Sequence, residues 1–225
     1  MLRTAAALSS LLVLAACNLS ETSGWPVVKG SGILKTETRP VEKFTAIVMS
    51  GAADVDIEQT GQESLELTAD DNLLPLFTTE VRDGTLFLGV VHGKRLTWSN
   101  KGPRFKVTVS ELRKLRLSGA GTVNATKLDA DSLSISISGA GDGNIAGRSN
   151  SLSISISGAG SLDAAGLQAK RATVIVSGAG DVTVNASEEL DARVSGAGDI
   201  WYIGSPKLQS KVSGAGTIKQ KSISH

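Results

Sequence analysis

Hydrophobic residues occupy every second position over long stretches of the chain, and the residues between them are mostly small and polar. The run Ser132-Leu-Ser-Ile-Ser-Ile-Ser138 shows the pattern most plainly. A period of two is typical of a β-strand with one buried face and one exposed face. The sequence therefore predicts an all-β protein.

The alternating segments are separated by a four-residue motif, Ser-Gly-Ala-Gly, which returns about every 19 residues. It begins at residues 118, 138, 157, 177, 195 and 213, and an imperfect copy, Ser50-Gly-Ala-Ala53, precedes them. Aligning the copies gives an apolar column just before the motif and another just after it. The second column includes Val55, Val123, Leu162, Val182, Ile200 and Ile218. One coil departs from this column at residues 142–145, where we expect a small β-bulge.

A unit of two strands joined by a Gly-Ala-Gly corner cannot bury its own apolar side, so successive units must stack. Identical columns in successive units favour parallel, in-register stacking of like residues. The sequence therefore predicts a right-handed parallel β-helix (a β-solenoid) with coils of about 19 residues. Ile135, Ile154 and Val174 should form one inward column, with Ser136 and Ser155 outside.

Residues 60–117 lack this regularity. Segments 64–68 and 86–88 have the composition of strands, and Asp83-Gly84 predicts a hairpin turn before the second of them. Residues 71–77 are compatible with a helical turn. Because the terminal repeats of a solenoid must be atypical, we expect this region to widen or cap the first end of the stack.

The N-terminus has a basic residue, Arg3, followed by an apolar run that is too short to span a bilayer. Such a run predicts a signal peptide, and the sequence Leu14-Ala-Ala-Cys17 resembles the lipobox of bacterial lipoproteins. That resemblance implies a lipid on Cys17; an ordinary signal peptide is the alternative. Asn18 is not the Asp that commonly retains lipoproteins at the inner membrane, which favours the outer membrane, with the domain facing the periplasm or the exterior.

The predicted organisation has four parts. They are a signal peptide (1–16), the lipidated Cys and a tether (17–30), the solenoid domain (31–221) and a short tail (222–225).

Composition excludes several kinds of chemistry. The formal charge of +1, from 23 Lys+Arg against 22 Asp+Glu, offers nothing to hold nucleic acid. One cysteine excludes disulfides and Cys-based zinc sites, and two histidines, His92 and His225, exclude a His-rich metal centre. Nucleophile-elbow and phosphate-loop motifs are absent. We therefore predict no catalytic residue, no cofactor and no enzyme activity.

Two weak site candidates remain. The residue after each motif is small and bears oxygen: Asp54, Thr122, Asp142, Ser161, Asp181, Asp199, Thr217. Capping of the corner backbone is the favoured role for this column, and calcium binding by Asp181 and Asp199 on adjacent coils is the alternative. The second candidate is Trp201. Alternation places Trp201 outside the coil and Tyr202 inside it. Trp201 either contacts a carbohydrate or stiffens its coil.

The segment from Val48 to Val55, the turn from Glu80 to Leu86 and the Ser-Gly-Ala-Gly ladder together resemble the head GIN domain family. Its members are described as putative autotransporter adhesin heads. The resemblance covers about residues 30–221 and implies a β-helix-like fold with an adhesive or envelope role. It supplies no catalytic or ligand-binding residues.

These observations together predict a lipid-anchored, non-catalytic module of the cell envelope that binds a polymer or a protein. A carbohydrate-active β-helix enzyme is one alternative, and a structural module that self-associates through its coil ends or flat faces is another. A groove that gathers carboxylates and basic groups would favour the enzyme. A smooth face of Ser and Thr would favour binding or assembly.

Overall fold

Strands make up almost all of the regular structure in a computed structural model that describes residues 25–99 and 101–222. One 3-10 turn, Leu74–Leu76, interrupts them. In chain order the strands are β1 (Val27–Lys29), β2 (Leu34–Thr38), β3 (Ala46–Met49), β4 (Asp54–Gln59), β5 (Ser64–Asp70), β6 (Phe77–Arg82), β7 (Thr85–Val90), β8 (Arg95–Thr97), β9 (Arg104–Val109), β10 (Lys114–Leu117), β11 (Thr122–Ile137), β12 (Asp142–Ile156), β13 (Leu162–Val176), β14 (Val182–Val194), β15 (Ile200–Ile203), β16 (Lys207–Val212) and β17 (Ile218–Gln220).

The strands from β10 onward stack as parallel coils, which confirms the predicted β-solenoid. Each coil pairs with the next in the register that the repeat demands, so that Ile135 lies over Ile154 and Ile154 over Val174. The stack has about five turns of about 20 residues. Strands β11 to β14 each run from one Gly-Ala-Gly corner to the next and bend midway, where their register shifts.

The core lies between the two sides of each coil. Ile135, Ile154 and Val174 are almost completely buried, and Ser155 is exposed, as predicted. The column after the motif fills the core from the other side: Val55, Val123, Leu162, Val182, Ile200. Because each coil stacks like side chains on like, one apolar interior runs the length of the stack.

The irregularity expected at residues 142–145 lies at the end of that range, where the pairing with the next coil shifts between Asn144 and Gly147. Gly143 pairs in register with Val123 below and Leu162 above, and the register shifts only after Asn144. A Cβ atom at Gly143 would meet the Leu162 Cδ1 atom at 2.5 Å. The larger Leu162 therefore fills the space that the glycine leaves, and the coils stay in register at Gly143.

The first end of the stack is closed by antiparallel strands. β6 and β7 form a hairpin, and Asp83 and Gly84 both have positive φ in its turn, as the Asp-Gly pair predicted. On the other side of the coil β5 pairs antiparallel with β2 and β9. Three buried phenylalanines fill the space inside: Phe44, Phe77, Phe105. The expected cap is thus present, and it contains both the predicted hairpin and a short helical turn, Leu74–Leu76.

The imperfect motif copy belongs to the stack despite its distance in sequence. β3 pairs with β10 in parallel, and Ala52 forms a bridge with Ala120. β7 lies on the other side of β3, so the chain leaves the stack after β4, builds the cap, and returns. The irregular segment is therefore an insertion between two neighbouring coils.

Residues 27–30, which we assigned to the tether, lie against the domain. β1 pairs with β8 as a separate two-stranded parallel sheet, and Gly30 is buried. Cys17, the signal peptide and the rest of the tether lie outside the described residues. No helix within 25–99 or 101–222 has the length and apolarity to cross a bilayer.

The last coil is open. All six residues of β16 are exposed, with Leu208 at 37% and Val212 at 46% of full exposure. Within the described chain, β16 pairs only with β14, so its outer backbone edge carries no strand. The solenoid thus has one capped end and one uncapped end.

Candidate binding surface

The Gly-Ala-Gly corners form a tightly packed ridge along one side of the solenoid. A Cβ atom at Gly139 or Gly158 would collide with the backbone carbonyl of the glycine on the preceding coil. The alanine of each motif, which lies between its two glycines, donates its N–H to the same carbonyl of the preceding coil. An example is the bond from Ala159 N to Gly139 O at 3.1 Å. The glycines are therefore needed because successive backbones approach closely, and the ridge leaves no space for a ligand.

The motif serines hold the coils together. The hydroxyl of Ser118 donates to the Met49 carbonyl oxygen at 3.2 Å, and that of Ser138 donates to the Leu117 carbonyl oxygen at 3.3 Å. Ser177 repeats the contact on a later coil. Each of these bonds runs to the backbone of the preceding coil.

The acidic column after the motif also joins neighbouring coils. The Asp181 Oδ1 atom accepts the Asp199 N–H at 2.8 Å, and the Asp199 Oδ1 atom accepts both the Thr217 N–H at 2.6 Å and its hydroxyl at 2.9 Å. Asp142 makes the same bond to the Ser161 N–H. Each aspartate therefore caps the backbone of the next coil rather than its own corner.

This geometry supports the capping role over the calcium alternative. Asp181 and Asp199 each commit an oxygen to a backbone N–H, and a calcium ion takes six to eight oxygen ligands. Across the described ranges, no three His, Cys, Asp or Glu side chains are grouped as a metal would need. The two aspartates thus contribute to stacking.

Trp201 lies on the outside of its coil, as predicted, but its ring is partly covered. The Lys219 Nζ atom on the next coil is 5.5 Å from the ring centroid, a cation–π distance. Tyr202 packs partly against the core. These contacts favour a role for Trp201 in stiffening the last coils.

A pocket that the sequence did not predict lies under Trp98. The loop after β8 folds back over the first corners, so that the indole covers Gly102 and faces Ala52 and Ala120. The pocket has a volume of about 320 Å³. No periodic signal marks it, because the loop belongs to the insertion and has no counterpart in other coils.

One face of the solenoid carries a ladder of free hydroxyl groups. We call it the hydroxyl face; it consists of Ser134, Ser136, Ser153, Ser155 and Thr173. Its side chains are exposed or half-exposed and lie in register, Ser134 with Ser153 and Ser153 with Thr173. None of these five hydroxyls bonds to another described residue. The face therefore offers a flat array of donors and acceptors about 4.8 Å apart from coil to coil.

The midway bend of the coils, between successive Gly-Ala-Gly corners, is charged. Arg148 lies 3.2 Å from Asp129, and Arg171 lies 3.6 Å from Glu188. These side chains border shallow depressions, one with a volume of about 540 Å³. All four side chains are open to solvent. Arg171 also borders a pocket of about 320 Å³ whose lining includes Glu189 and Asp191. Carboxylates and cations are thus close together, as the enzyme alternative requires, in depressions that are open to solvent.

The shifted pKa values lie on exposed ion pairs, and one of these pairs, Arg193 with Asp191, borders the hydroxyl face because Asp191 pairs with Thr173. A hydrogen bond from Lys127 lowers the pKa of Glu58, and one from Arg113 lowers the pKa of Glu111. Asp56 raises the pKa of Arg104, mainly through a hydrogen bond. Because each partner is a neighbouring countercharge, these shifts reflect surface ion pairs rather than a catalytic centre.

A family model described as the putative auto-transporter adhesin, head GIN domain, matches residues 43–206, which include the cap and most of the coils. The chain belongs to the head GIN domain family. Membership places this head GIN domain among adhesin-like proteins of the cell surface or envelope. It agrees with the resemblance that the motif ladder predicted.

Solved structures share the fold. A putative adhesin from Bacteroides fragilis NCTC 9343 is 27% identical, with a TM-score of 0.72 over 86% of this chain and 100% of the other. A putative adhesin from Parabacteroides distasonis ATCC 8503 is 24% identical, with a TM-score of 0.56 over 87% of this chain and 100% of the other. The second similarity shows the fold alone. No curated protein matches this head GIN domain in sequence.

Proposed function

We propose that this head GIN domain is a non-catalytic binding module, anchored by a lipid on Cys17 and facing the periplasm or the exterior from the outer membrane. It would hold an envelope or extracellular polymer, or a protein, against the hydroxyl face. The observation that carries the proposal is the in-register array of unbonded hydroxyls on Ser134, Ser136, Ser153, Ser155 and Thr173. The putative-adhesin description of the family supports it.

A rigid array suits an extended partner. The hydroxyls are fixed by the strand ladder beneath them, so binding orders little that is not already ordered. A chain with regularly spaced hydroxyl or amide groups could bond to several coils at once. Such binding needs no chemical step, and a flat face gives no water-excluded site for one.

The test is retention of envelope polymers by full-length protein on beads. We expect wild type to retain material that Ser153→Arg/Ser155→Arg loses, because two bulky cations would interrupt the array. The matched control is Asn144→Arg/Gln168→Arg, which adds the same charges at other exposed positions. Equal retention by wild type and the Ser153→Arg/Ser155→Arg protein would contradict the proposed face.

The anchor has its own test. Replacing Cys17 with Ser should move the protein out of the membrane pellet in a fractionation, because the acyl chains supply the membrane affinity. If the Cys17→Ser protein sediments with membranes as firmly as wild type, the lipid is not the anchor.

The enzyme alternative predicts turnover. Hydrolysis or elimination of any polysaccharide in a broad panel, abolished by Asp181→Asn or Asp199→Asn, would replace the binding proposal.

The self-assembly alternative rests on the open last coil, where β16 offers an unpaired strand edge beside Leu208 and Val212, although the lysines of that strand oppose pairing. That alternative predicts dimers or filaments by sedimentation, and their loss on Leu208→Lys/Val212→Lys. A monomer at all concentrations would exclude it.

A further inference from the structure

A small surface beside the capped end combines exposed apolar side chains with free positive charges. We call it the β1–β8 patch and define it by Trp25, Val27, Lys29, Lys94 and Arg95. The two strands are joined by backbone pairing, Val27 with Arg95 and Lys29 with Thr97. The Trp25 ring lies 4.8 Å from the ring of His92, centroid to centroid. The patch is therefore a built surface rather than a loose end.

The apolar members of the patch do not serve the core. Trp25 is 50% exposed and Val27 is 55% exposed, whereas only Val28 of β1 packs against buried residues. A strand with a purely structural role would turn its larger apolar side chains toward the core. Trp25 and Val27 instead point toward whatever lies outside.

The charged members of the patch lack countercharges. Lys29, Lys94 and Arg95 are exposed and make no ion pair with another described residue. The two segments that form the patch, residues 25–36 and 91–109, contain no Asp or Glu. Two aspartates of another segment contact them: the buried Asp70 accepts the Ser99 N–H, and Asp71 accepts the Ser31 hydroxyl, so neither forms an ion pair with the patch cations. The protein as a whole is nearly neutral, so this local excess of positive charge is a property of the patch.

The chain limits how far the patch can lie from the anchor. Seven residues, 18–24, separate Cys17 from Trp25. Even fully extended, such a segment spans less than about 30 Å. A lipid on Cys17 therefore keeps the patch next to the bilayer surface.

We propose that the β1–β8 patch is a second membrane contact, which rests on an anionic bilayer surface while the lipid on Cys17 holds the chain there. Tryptophan favours the headgroup region of a bilayer, and Lys and Arg are attracted to anionic headgroups. The proposal rests on the lipid anchor of the proposed function. It orients the domain with this side of the capped end on the membrane and leaves the open coil free.

The experiment uses full-length lipidated protein reconstituted into vesicles whose acyl chains are brominated. The vesicles contain phosphatidylcholine alone, or phosphatidylcholine and phosphatidylglycerol at about three to one. Trp98→Phe/Trp201→Phe leaves Trp25 as the only fluorophore, and Trp25→Phe/Trp98→Phe leaves Trp201. We expect the phosphatidylglycerol vesicles to quench Trp25 emission about twofold and to leave Trp201 unquenched.

Charge separates contact from mere proximity to the anchor. Lys94→Glu/Arg95→Glu, or high salt, should return Trp25 quenching to its value in neutral vesicles, because screening and charge reversal remove the attraction. The matched control, Lys207→Glu/Lys211→Glu, reverses two exposed charges on the open coil and should change nothing.

Three results would overturn the proposal, and they can be told apart. If the protein floats with vesicles but Trp25 quenching is independent of phosphatidylglycerol and of Lys94→Glu/Arg95→Glu, the patch contact is wrong and the anchor stands. If the wild-type protein does not float with either vesicle, the anchor and the patch contact both fail. Shielding of Trp25 from aqueous iodide in cell envelopes, without quenching in vesicles, would assign the patch to a protein partner instead.

Discussion

The two ends of the solenoid solve the same problem in different ways. At the first end, antiparallel strands and three buried phenylalanines cover the core. At the last end no described strand covers it, and all six residues of β16 are exposed. Because both ends terminate one continuous stack of strands, each end would leave strand edges unpaired unless other residues covered them.

The open end limits its exposure by changing its residues. Ser210 stands in the column that holds Ile154 and Val174 in earlier coils, and Lys207 and Lys211 lie on the outer strand. Polar and lysine side chains on an edge strand discourage pairing with another chain. One end is therefore covered by added structure, whereas the other is left open and made of more polar coils. We expect the local stability of the coils to fall toward the C-terminus.

The sharpest test of this gradient is one substitution made in two places. Ile154→Asp would bury an unpaired charge in a middle coil and cost about 3–5 kcal/mol. Val212→Asp places the same charge on the open coil and should cost under about 1 kcal/mol. Melting temperatures of the two variants give the comparison, with Ser155→Asp as the near-silent outward control. Equal losses for Ile154→Asp and Ser155→Asp would contradict the inward assignment.

The cap itself can be weakened. Phe105 packs edge-to-face against Phe77 at 6.0 Å between ring centroids, and both rings are buried. Phe105→Ala should cost about 3–5 kcal/mol, and Leu208→Ala on the open coil under about 1 kcal/mol. Urea unfolding measures both. A Phe105→Ala protein as stable as the Leu208→Ala protein would mean that the cap does not hold the first end.

A smaller effect is expected at the bond between the last two corners. Asp199→Ala removes the acceptor of the Thr217 N–H and should cost about 1 kcal/mol. The loss should appear as faster amide exchange in β17 and leave β11 unchanged. Uniform exchange along the chain would show that the last coil is no weaker than the others.

The smallest effect concerns the ion pair that joins the capped region to the first regular coil. The hydrogen bond from Lys127 lowers the pKa of Glu58 in the folded state, so the pair contributes only above the ordinary pKa of Glu and its contribution is lost as pH falls through the folded value. Lys127→Met should raise the pKa of Glu58 toward its ordinary value in an NMR titration, without a measurable change in melting temperature at neutral pH. An unchanged Glu58 pKa would mean that the pair does not form in solution.

Repetition decides which parts of this fold could be predicted from the sequence. Ile135, Ile154 and Val174 share a column, so one stacking rule places all three. The β1 strand has three residues and a partner 68 positions away, and nothing in its own sequence announces it. The irregularity predicted at residues 142–145 begins only after Asn144, because Leu162 on the next coil supplies the volume that Gly143 lacks.

The candidate binding surfaces also divide into parts that repeat along the chain, which the sequence predicts, and parts that do not repeat, which it does not predict. The outward serines of the hydroxyl face were visible as the polar half of the alternation, so the sequence predicted that Ser136 and Ser155 lie outside. The pocket under Trp98 depends on how the inserted loop folds back, and the charges of the β1–β8 patch meet only through a long-range strand pair. Neither has a periodic signal that could have placed it.

The insertion between β4 and β10 also sets the order in which the chain can fold. Regular coils close loops of about 19 residues, whereas β3 meets β10 only across 68 residues. Closing the longer loop costs about 1 kcal/mol more in chain entropy. During synthesis β3 must therefore wait, unpaired on that side, until β10 has emerged from the ribosome. Later coils can be added one at a time onto an edge that already exists.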